Sequence, residues 1–286
     1  MENNAYPRIK NAILLCLLLL GIQLVGGLIL GLILVLFKIE NEAMVNGVAL
    51  IIINLVTFGL VILIGFRKTH KKFNDVFMCN NVPLNLWIAT IIFMFGFVIL
   101  SSQLDLLLGY VLPMPEFLED AFDSILTNEY MTLSIILIGI MPAFLEEMLF
   151  RGVILSGFKE NYSWKKAILI SALLFGIVHL NPWQFVTAFI LGTISAWICL
   201  HAKSILPSIY MHLFNNMLAL LVVQFSDTIF FKEFDVSSGQ PFQALWFNAI
   251  GIVFTGAGAL LLMNSIKKLN IAHNGAIGEV NADPPD

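Results

Sequence analysis

Charged residues are scarce in this 286-residue chain: Asp, Glu, Lys and Arg together make up 12% of it. Hydrophobic residues make up 59%, and the mean hydropathy is +0.90. A soluble domain of this composition could not cover its apolar surface with polar groups. The composition therefore excludes an ordinary soluble protein and predicts an all-α, polytopic membrane protein.

Cysteine is also scarce. Cys16, Cys79 and Cys199 form no spaced framework, and two of them lie in long apolar runs. This pattern favours neither disulfide bonds nor a thiolate metal site.

Long charge-free runs divide the chain into eight predicted membrane segments, since about 20 apolar residues cross ~30 Å of hydrocarbon. The run over residues 167–200 is too long for one crossing, and Asn181-Pro182-Trp183 interrupts it. Because a residue before proline is biased out of a helix, we interpret this run as two short helices. The eight predicted segments cover residues 11–37, 43–66, 84–104, 130–158, 166–180, 184–200, 204–226 and 242–266.

Basic residues set the expected orientation. With both termini in the cytoplasm and eight alternating crossings, the Lys and Arg residues of the loops are cytoplasmic, except Lys38 and Lys232. Acidic residues show the opposite bias and cluster in one outer loop at 116–129. We therefore expect an integral protein of the plasma (inner) membrane with both termini in the cytoplasm.

The membrane segments and loops group into four regions. Residues 1–83 contain two membrane helices and a basic cytoplasmic loop, and 84–226 form a core with polar groups at membrane depth. Residues 227–269 contain an outer loop and the last membrane helix. The polar composition of residues 270–286 predicts a disordered cytoplasmic tail.

The stretch from Pro142 to Arg151 places two acids and an arginine inside an apolar segment. A charge at bilayer depth costs ~2.5–3.5 kcal/mol on insertion scales, so such residues usually face a bundle interior or a wet cavity. Glu147 and Arg151 lie four residues apart with the acid first, the favourable order for a helical ion pair. Glu146 is rotated by about 100° and has no cation at helical spacing. We therefore expect a structural Glu147–Arg151 ion pair and a chemically free Glu146.

Two further predicted segments carry histidine. His179 ends the fifth segment, and His212 and Asn216 lie one helical turn apart on the seventh. A single membrane histidine is as readily a buried neutral imidazole bonded to a neighbouring carbonyl. Together with Glu146, these residues supply a general base, metal ligands and an amide donor for an oxyanion. Counting residues from the segment ends predicts a site that opens toward the cytoplasm.

Three motifs stand in order on these segments: Glu-Glu-x-x-x-Arg at 146–151, Phe-x-x-x-His at 175–179 and His-x-x-x-Asn at 212–216. Together they resemble the CAAX protease and bacteriocin-processing (CPBP) family of intramembrane endopeptidases, and within it the type II CAAX prenyl proteases. The resemblance covers residues 100–225. It implies a catalytic core within 84–226, whose catalytic residues are Glu146, His179, His212 and Asn216.

In the mechanism that this resemblance implies, Glu146 takes a proton from a water molecule that attacks a peptide carbonyl. His179 positions the water, and His212 and Asn216 stabilise the oxyanion. Zinc held by Glu146, His179 and His212 would match the ligand types of a metalloprotease. A metal-free reaction driven by the glutamate uses the same residues, and the chain has no His-x-x-x-His pair that would decide between the two.

The function expected from these residues is hydrolysis of a small peptide, or of a C-terminal or leader segment, near the cytoplasmic side of the membrane. Prenylated tails, peptide pheromones and bacteriocin leaders are all compatible substrates. Two alternatives remain open. A proton-coupled transporter would show an internal repeat with matching broken helices, and none is visible. A non-catalytic immunity protein that binds a peptide toxin would not need the motif residues.

The expected partners follow from the same features: a peptide or protein substrate and membrane lipid, and no nucleic acid. Gly21, Gly26, Gly27 and Gly31 recur at roughly helical spacing in the first segment. Small residues at such spacing allow close helix packing. They fit either a homodimer seam or packing within one chain.

Overall fold

The computed structural model describes residues 5–38, 42–116, 118, 131–225 and 241–280. Regular structure in these residues is helical, apart from one isolated bridge between Cys79 and Ser204. The helices are α1 (Ile9–Phe37), α2 (Glu42–Thr69), α3 (Phe73–Phe77), α4 (Leu84–Val111), α5 (Met131–Asn161), α6 (Trp164–Ile177), α7 (Pro182–Ala202), α8 (Leu206–Gln224) and α9 (Leu245–Val280).

The expectation of an all-helical integral membrane protein is confirmed. Among the described residues, six helices are long and apolar enough to cross a membrane, namely α1, α2, α4, α5, α7 and α9. The expected count of eight is not confirmed. Helix α6 has only 14 residues, too few for a full crossing. Helix α8 has 19 residues, near the lower limit of the lengths that cross a membrane. Both lie where the sequence predicts membrane segments.

The predicted break at Asn181-Pro182 is confirmed. Helix α6 ends at Ile177 and α7 begins at Pro182, which needs no N–H donor at the first helical position. The Asn181 side chain caps α7 by accepting hydrogen bonds from the backbone N–H groups of Trp183 and Gln184, at 3.0 and 3.4 Å. The cap fixes the turn at which α6 and α7 reverse direction.

The predicted disorder of the C-terminal tail is wrong for its first part. Helix α9 continues to Val280, because residues 270–280 contain no proline and each added residue extends an existing hydrogen-bond ladder. Residues 281–286 lie outside the described part of the chain, as do most of the acidic loop at 116–129 and the outer loop at 227–240.

One end of the bundle, here called the basic end, collects nearly all the basic residues. Hydrogen bonds tie its loops together: Asn80 donates to the Lys203 carbonyl, and Asn161 donates to the Ala5 carbonyl, both at 2.7 Å. The basic residues of this end are Arg8, Lys10, Arg67, Lys68, Lys71, Lys72, Lys159, Lys165, Lys166, Lys203, Lys267 and Lys268.

The opposite end, here called the far end, contains the C-terminus of α4, the α6–α7 turn and the N-terminus of α9. The indole N–H of Trp183 donates to the Leu112 carbonyl at 2.6 Å, which joins α7 to α4 there. Within the described residues, Lys38 is the one Lys or Arg at this end. The bundle is therefore strongly asymmetric in charge.

Close helix packing depends on glycines of α4 and α9 rather than of α1. A Cβ at Gly258 would meet the backbone of Phe93, whereas Gly21, Gly27 and Gly31 have nothing within 4 Å. Of the glycines proposed for the first segment, Gly26 alone approaches a neighbour, since a Cβ there would lie 3.1 Å from the Ile53 side chain. The homodimer seam stays a prediction.

Gly258→Ala is expected to lower the free energy of unfolding by about 1–3 kcal/mol, the usual cost of overpacking. The added methyl group would press on the Phe93 backbone, which cannot rotate away as a side chain can. Gly256→Ala is the matched control, because nothing lies within 4 Å of that position and alanine favours a helix. Thermal unfolding in detergent measures both. Equal melting temperatures would contradict the close packing of α4 on α9 at this position.

Candidate functional site

A cavity of about 740 Å³ lies between α4, α5, the α6–α7 turn and α8. This volume is within the range of ordinary ligand sites. All four residues predicted to be catalytic line it: Glu146, His179, His212 and Asn216. The fold therefore brings together groups that lie up to 70 residues apart in the sequence.

Helix α5 carries the acids on a short α-helical stretch between two π-helical ones. The π-helical segments are Ile135–Ile140 and Met148–Ile154, and the stretch between them is Met141–Glu147. Insertions of this kind are rare and concentrate at functional sites. They change the angular spacing of side chains along α5, so ideal helical wheels do not describe it.

Pro142 accounts for the position of Asn216. Because proline has no N–H, the Ile138 carbonyl has no α-helical donor four residues later. The side-chain amide of Asn216 donates to that carbonyl instead, at 2.8 Å. One amide N–H thus joins α8 to α5, and the second N–H is left for a ligand in the cavity.

Glu146 and His179 face each other across a gap. The Glu146 Oε2 atom is buried and has no hydrogen-bond partner, and it lies 3.9 Å from His179 Nε2, too far for a direct bond. His179 Nδ1 lies 2.7 Å from the Phe175 carbonyl. Since a carbonyl only accepts, Nδ1 carries a proton, so in the neutral form of the ring the lone pair is at Nε2. A water molecule could donate to both atoms.

Glu147 lies at the centre of a buried polar cluster. Its Oε2 atom is 3.1 Å from Arg151 Nε, so the ion pair expected from helical spacing is present. Arg151 also donates to the Ser195 hydroxyl at 2.8 Å and to the Gly192 carbonyl at 3.2 Å. The side chains of Glu147 and Arg151 are 1% and 0% exposed, so the pair is shielded from water.

His212 belongs to the same cluster. Its Nδ1 atom is 3.1 Å from Glu147 Oε1. Since a carboxylate only accepts, Nδ1 donates, and Nε2 is the nitrogen left for the cavity that His212 lines. Glu147 therefore orients a predicted catalytic residue as well as neutralising Arg151. The sequence contains no signal for this contact, because 65 residues separate the two.

The part of the chain that carries the three motifs was compared with known protein families. Residues 128–218 match the family model described as type II CAAX prenyl endopeptidase, Rce1-like. The match supports the resemblance of this segment to the CPBP proteases. The segment contains all three motifs and extends from the residues before α5 into α8. Comparisons with curated proteins and with solved structures gave no match.

Phe175 packs at the centre of the CPBP motifs. Its ring lies 4.4 Å from the Arg151 guanidinium, and its centroid is 5.1 Å from that of His179 and 5.5 Å from that of His212. An arginine over an aromatic face gains cation–π energy that grows when water is excluded. The phenylalanine of Phe-x-x-x-His thus connects the ion pair to both histidines.

Asp105 is a site residue outside the CPBP match, and sequence analysis assigned it no role. Its carboxylate accepts a hydrogen bond from the Thr187 hydroxyl at 2.7 Å, and both residues line the cavity. Among the described residues, no Lys, Arg or His forms an ion pair with it. The cavity wall therefore presents an acidic group opposite α5.

The predicted zinc ligands do not form a ligand set in this arrangement. Among the described residues, no three of His, Cys, Asp and Glu lie in positions to hold a metal ion. The donor types of Glu146, His179 and His212 would suit zinc. Glu146 Oε2 and His179 Nε2 are 3.9 Å apart, and His212 bonds Glu147 through Nδ1, which leaves Nε2 for the cavity. Zinc stays a prediction, and no step below passes through a metal.

The cavity extends from the site toward the far end of the bundle rather than toward the basic end. The expected opening toward the cytoplasm stays a prediction. The rim of the cavity is formed by the end of α4 and the start of α7. The rim residues are Gly109, Pro113, Met114, Asn181, Trp183 and Gln184. Residue counting could not give the direction, because a group near mid-membrane is almost equally far from both ends of its helix.

Proposed function

We propose that the protein is an intramembrane endopeptidase in which Glu146 activates a water molecule for attack on a peptide bond. The observation that carries this proposal is the buried, unpartnered Oε2 atom of Glu146 on the wall of a 740 Å³ cavity. This oxygen is free to accept a hydrogen bond from a water molecule in the cavity. The match of residues 128–218 to a protease family model supports the reaction type.

The reaction begins with water held between Glu146 Oε2 and His179 Nε2. Glu146 accepts a proton while the water oxygen attacks the carbonyl carbon of the substrate. The free amide N–H of Asn216 donates to the developing oxyanion, and His212 Nε2 does so when its ring is doubly protonated. Glu146 then returns its proton to the leaving nitrogen. The C–N bond breaks, and a carboxylate and an amine are released.

The cavity also limits the form of the substrate. Its volume accommodates a segment of a chain rather than a folded domain. The substrate is therefore a short peptide or an extended terminal or leader segment. Prenylated tails, peptide pheromones and bacteriocin leaders all meet this requirement.

A peptide library tests the proposed activity. The protein in liposomes is incubated with peptides of mixed sequence, and mass spectrometry identifies new termini that empty liposomes do not produce. The peptide pools of cells with and without the protein are compared in the same way. We expect internal cleavage products that depend on the protein. If neither experiment yields such products, the protein is not an endopeptidase.

Chelation distinguishes the glutamate reaction from zinc catalysis. Because no three donors converge among the described residues, we expect cleavage to survive a zinc chelator and the purified protein to contain far less than one zinc per chain. His179→Ala should then lower the rate without changing metal content.

His201→Ala is the matched control, since His201 Nδ1 bonds the Trp197 carbonyl at 2.8 Å as His179 Nδ1 bonds that of Phe175, but away from the cavity. A stoichiometric zinc that is lost in His179→Ala and kept in His201→Ala would contradict the prediction. So would chelated protein that regains activity only with added zinc.

A further inference from the structure

The direction in which the cavity opens indicates where the substrate comes from. On each helix that lines it, the lining residues lie on the far-end side of the site. Helix α5 contributes no lining residue after Glu146, α7 none after Leu191, α8 none before His212, and α4 none before Asp105. Within the described residues, the cavity thus extends from the site to the far end only.

The opposite direction is closed by tightly packed side chains. Between the site and the basic end, α5, α7 and α8 contribute residues that are at most 1% exposed. They include Phe150, Arg151, Ser195, Cys199, Ser208 and Met211. A peptide from the basic end would have to displace the Glu147–Arg151 ion pair to reach Glu146, whereas the described residues place no such barrier on the far-end route.

The two ends differ enough in charge to orient the bundle. Helix α4 alone has 28 residues, roughly 42 Å at the usual rise, so the rim and the basic end lie on opposite membrane faces. Loops rich in Lys and Arg are retained in the cytoplasm. The rim at Trp183 and Met114 is then on the other face.

We infer that the substrate is a peptide segment presented at the extracytoplasmic face of the membrane, and that it enters beside Trp183 and Gln184. This inference rests on the proposed function, because it assigns an access side to the same site. The lining carries the carboxylates of Asp105 and Glu146 and, among described residues, no Lys or Arg. Such a lining favours a neutral or cationic segment over an acidic one. Prenylated tails in the cytoplasm would be on the wrong face.

Cysteine labelling tests the access side without requiring catalysis. The native Cys79 is exposed at the basic end, whereas Cys16 and Cys199 are buried. In a Cys79→Ser background, Gln184→Cys adds a thiol at the rim, and Leu180→Cys adds one at the adjoining turn, where the native side chain is 72% exposed. Each is treated with a membrane-impermeant maleimide in intact spheroplasts and again after permeabilisation.

We expect the introduced thiols to be labelled in intact spheroplasts and Cys79 of the unmodified protein only after permeabilisation. The second rim variant decides the result if the first does not fold. Labelling of Cys79 in intact spheroplasts, with the rim thiols protected, would overturn the inference. Labelling of both positions from one side would overturn it too.

A cleavage assay with peptides supplied on one side of the membrane separates this inference from the proposed function. Membrane-impermeant neutral, cationic and acidic peptides are added outside intact spheroplasts or to permeabilised ones. In intact spheroplasts, we expect neutral and cationic peptides to be cut at least tenfold faster than acidic ones. The Glu146→Gln variant should cut none of them. If Glu146-dependent cleavage is seen only after permeabilisation, the protein is still a protease, but the inferred extracytoplasmic access is wrong. If neither intact nor permeabilised spheroplasts cleave the peptides, the proposed protease activity is wrong. The labelling experiment alone would then decide on which side the cavity opens.

Discussion

Glu146→Gln is expected to reduce the rate of peptide cleavage by about 10²–10⁴-fold, the usual contribution of a positioned general base. Glutamine has nearly the same size as glutamate, but its amide cannot take the proton from water. The fold should be unaffected, because Oε2 has no hydrogen bond to lose and His179 Nε2 lies 3.9 Å away, too far for a direct bond. Cleavage rate and melting temperature are measured on the same detergent-purified samples.

The control for this variant is Glu116→Gln, which removes an exposed carboxylate just beyond α4 that does not line the cavity. It should leave both rate and melting temperature close to those of the unmodified protein. Near-normal cleavage by Glu146→Gln would end the glutamate-base mechanism. A large loss of thermal stability would show instead that Glu146 is part of the packing.

Helical spacing predicted the separate environments of the two adjacent acids. Glu147 lies one turn before Arg151, and the pair is present, while Glu146 has no such partner and faces the cavity. The motif order likewise predicted which helices meet, because membrane-buried polar groups favour contact with one another over contact with lipid. The break at Asn181-Pro182 followed from proline geometry alone.

Contacts between distant residues could not be predicted in the same way. The bond from His212 to Glu147 and the bond from Arg151 to Ser195 each join residues more than 40 positions apart. The two π-helical segments of α5 change the direction of its side chains, and no single residue type marks them. Asp105 and Thr187 meet where α4 and α7 pack together, near the bond from Trp183 to the Leu112 carbonyl.

Hydropathy alone did not give the number of helices that cross the membrane, because the length of each helix matters as well. Residues 166–180 and 204–226 are apolar enough to suggest membrane segments, and both form helices at the expected places. The turns that precede these two helices pack on other parts of the bundle. Ser204, for example, donates to the Asn80 carbonyl at 2.6 Å just before α8 begins.

Glu147→Gln is expected to lower the free energy of unfolding by about 3–5 kcal/mol, the usual result of removing one partner of a buried ion pair. Arg151, with no exposed surface, would keep its bonds to Ser195 and Gly192 but lose its counter-charge. His212 would also lose the carboxylate that fixes its ring. Thermal unfolding and the yield of folded protein measure the first effect, and cleavage rate measures the second.

A surface ion pair gives the matched control. Lys71 and Glu160 are 22% and 35% exposed, and exposed pairs contribute about 0–1 kcal/mol. Glu160→Gln should therefore change the melting temperature little. If Glu147→Gln is as stable as the unmodified protein, the buried ion pair has been wrongly assigned.

The double variant Glu147→Gln, Arg151→Met separates the two roles of Glu147. Removing both charges leaves no uncompensated ion in the interior, and apolar replacements of buried pairs are often neutral or stabilising. Most of the lost stability should therefore return. The cleavage rate should stay low, however. The negative charge of Glu147 holds the His212 ring at Nδ1, and the glutamine amide lacks that charge. Full recovery of the cleavage rate together with stability would show that Glu147 acts on the reaction only through the fold.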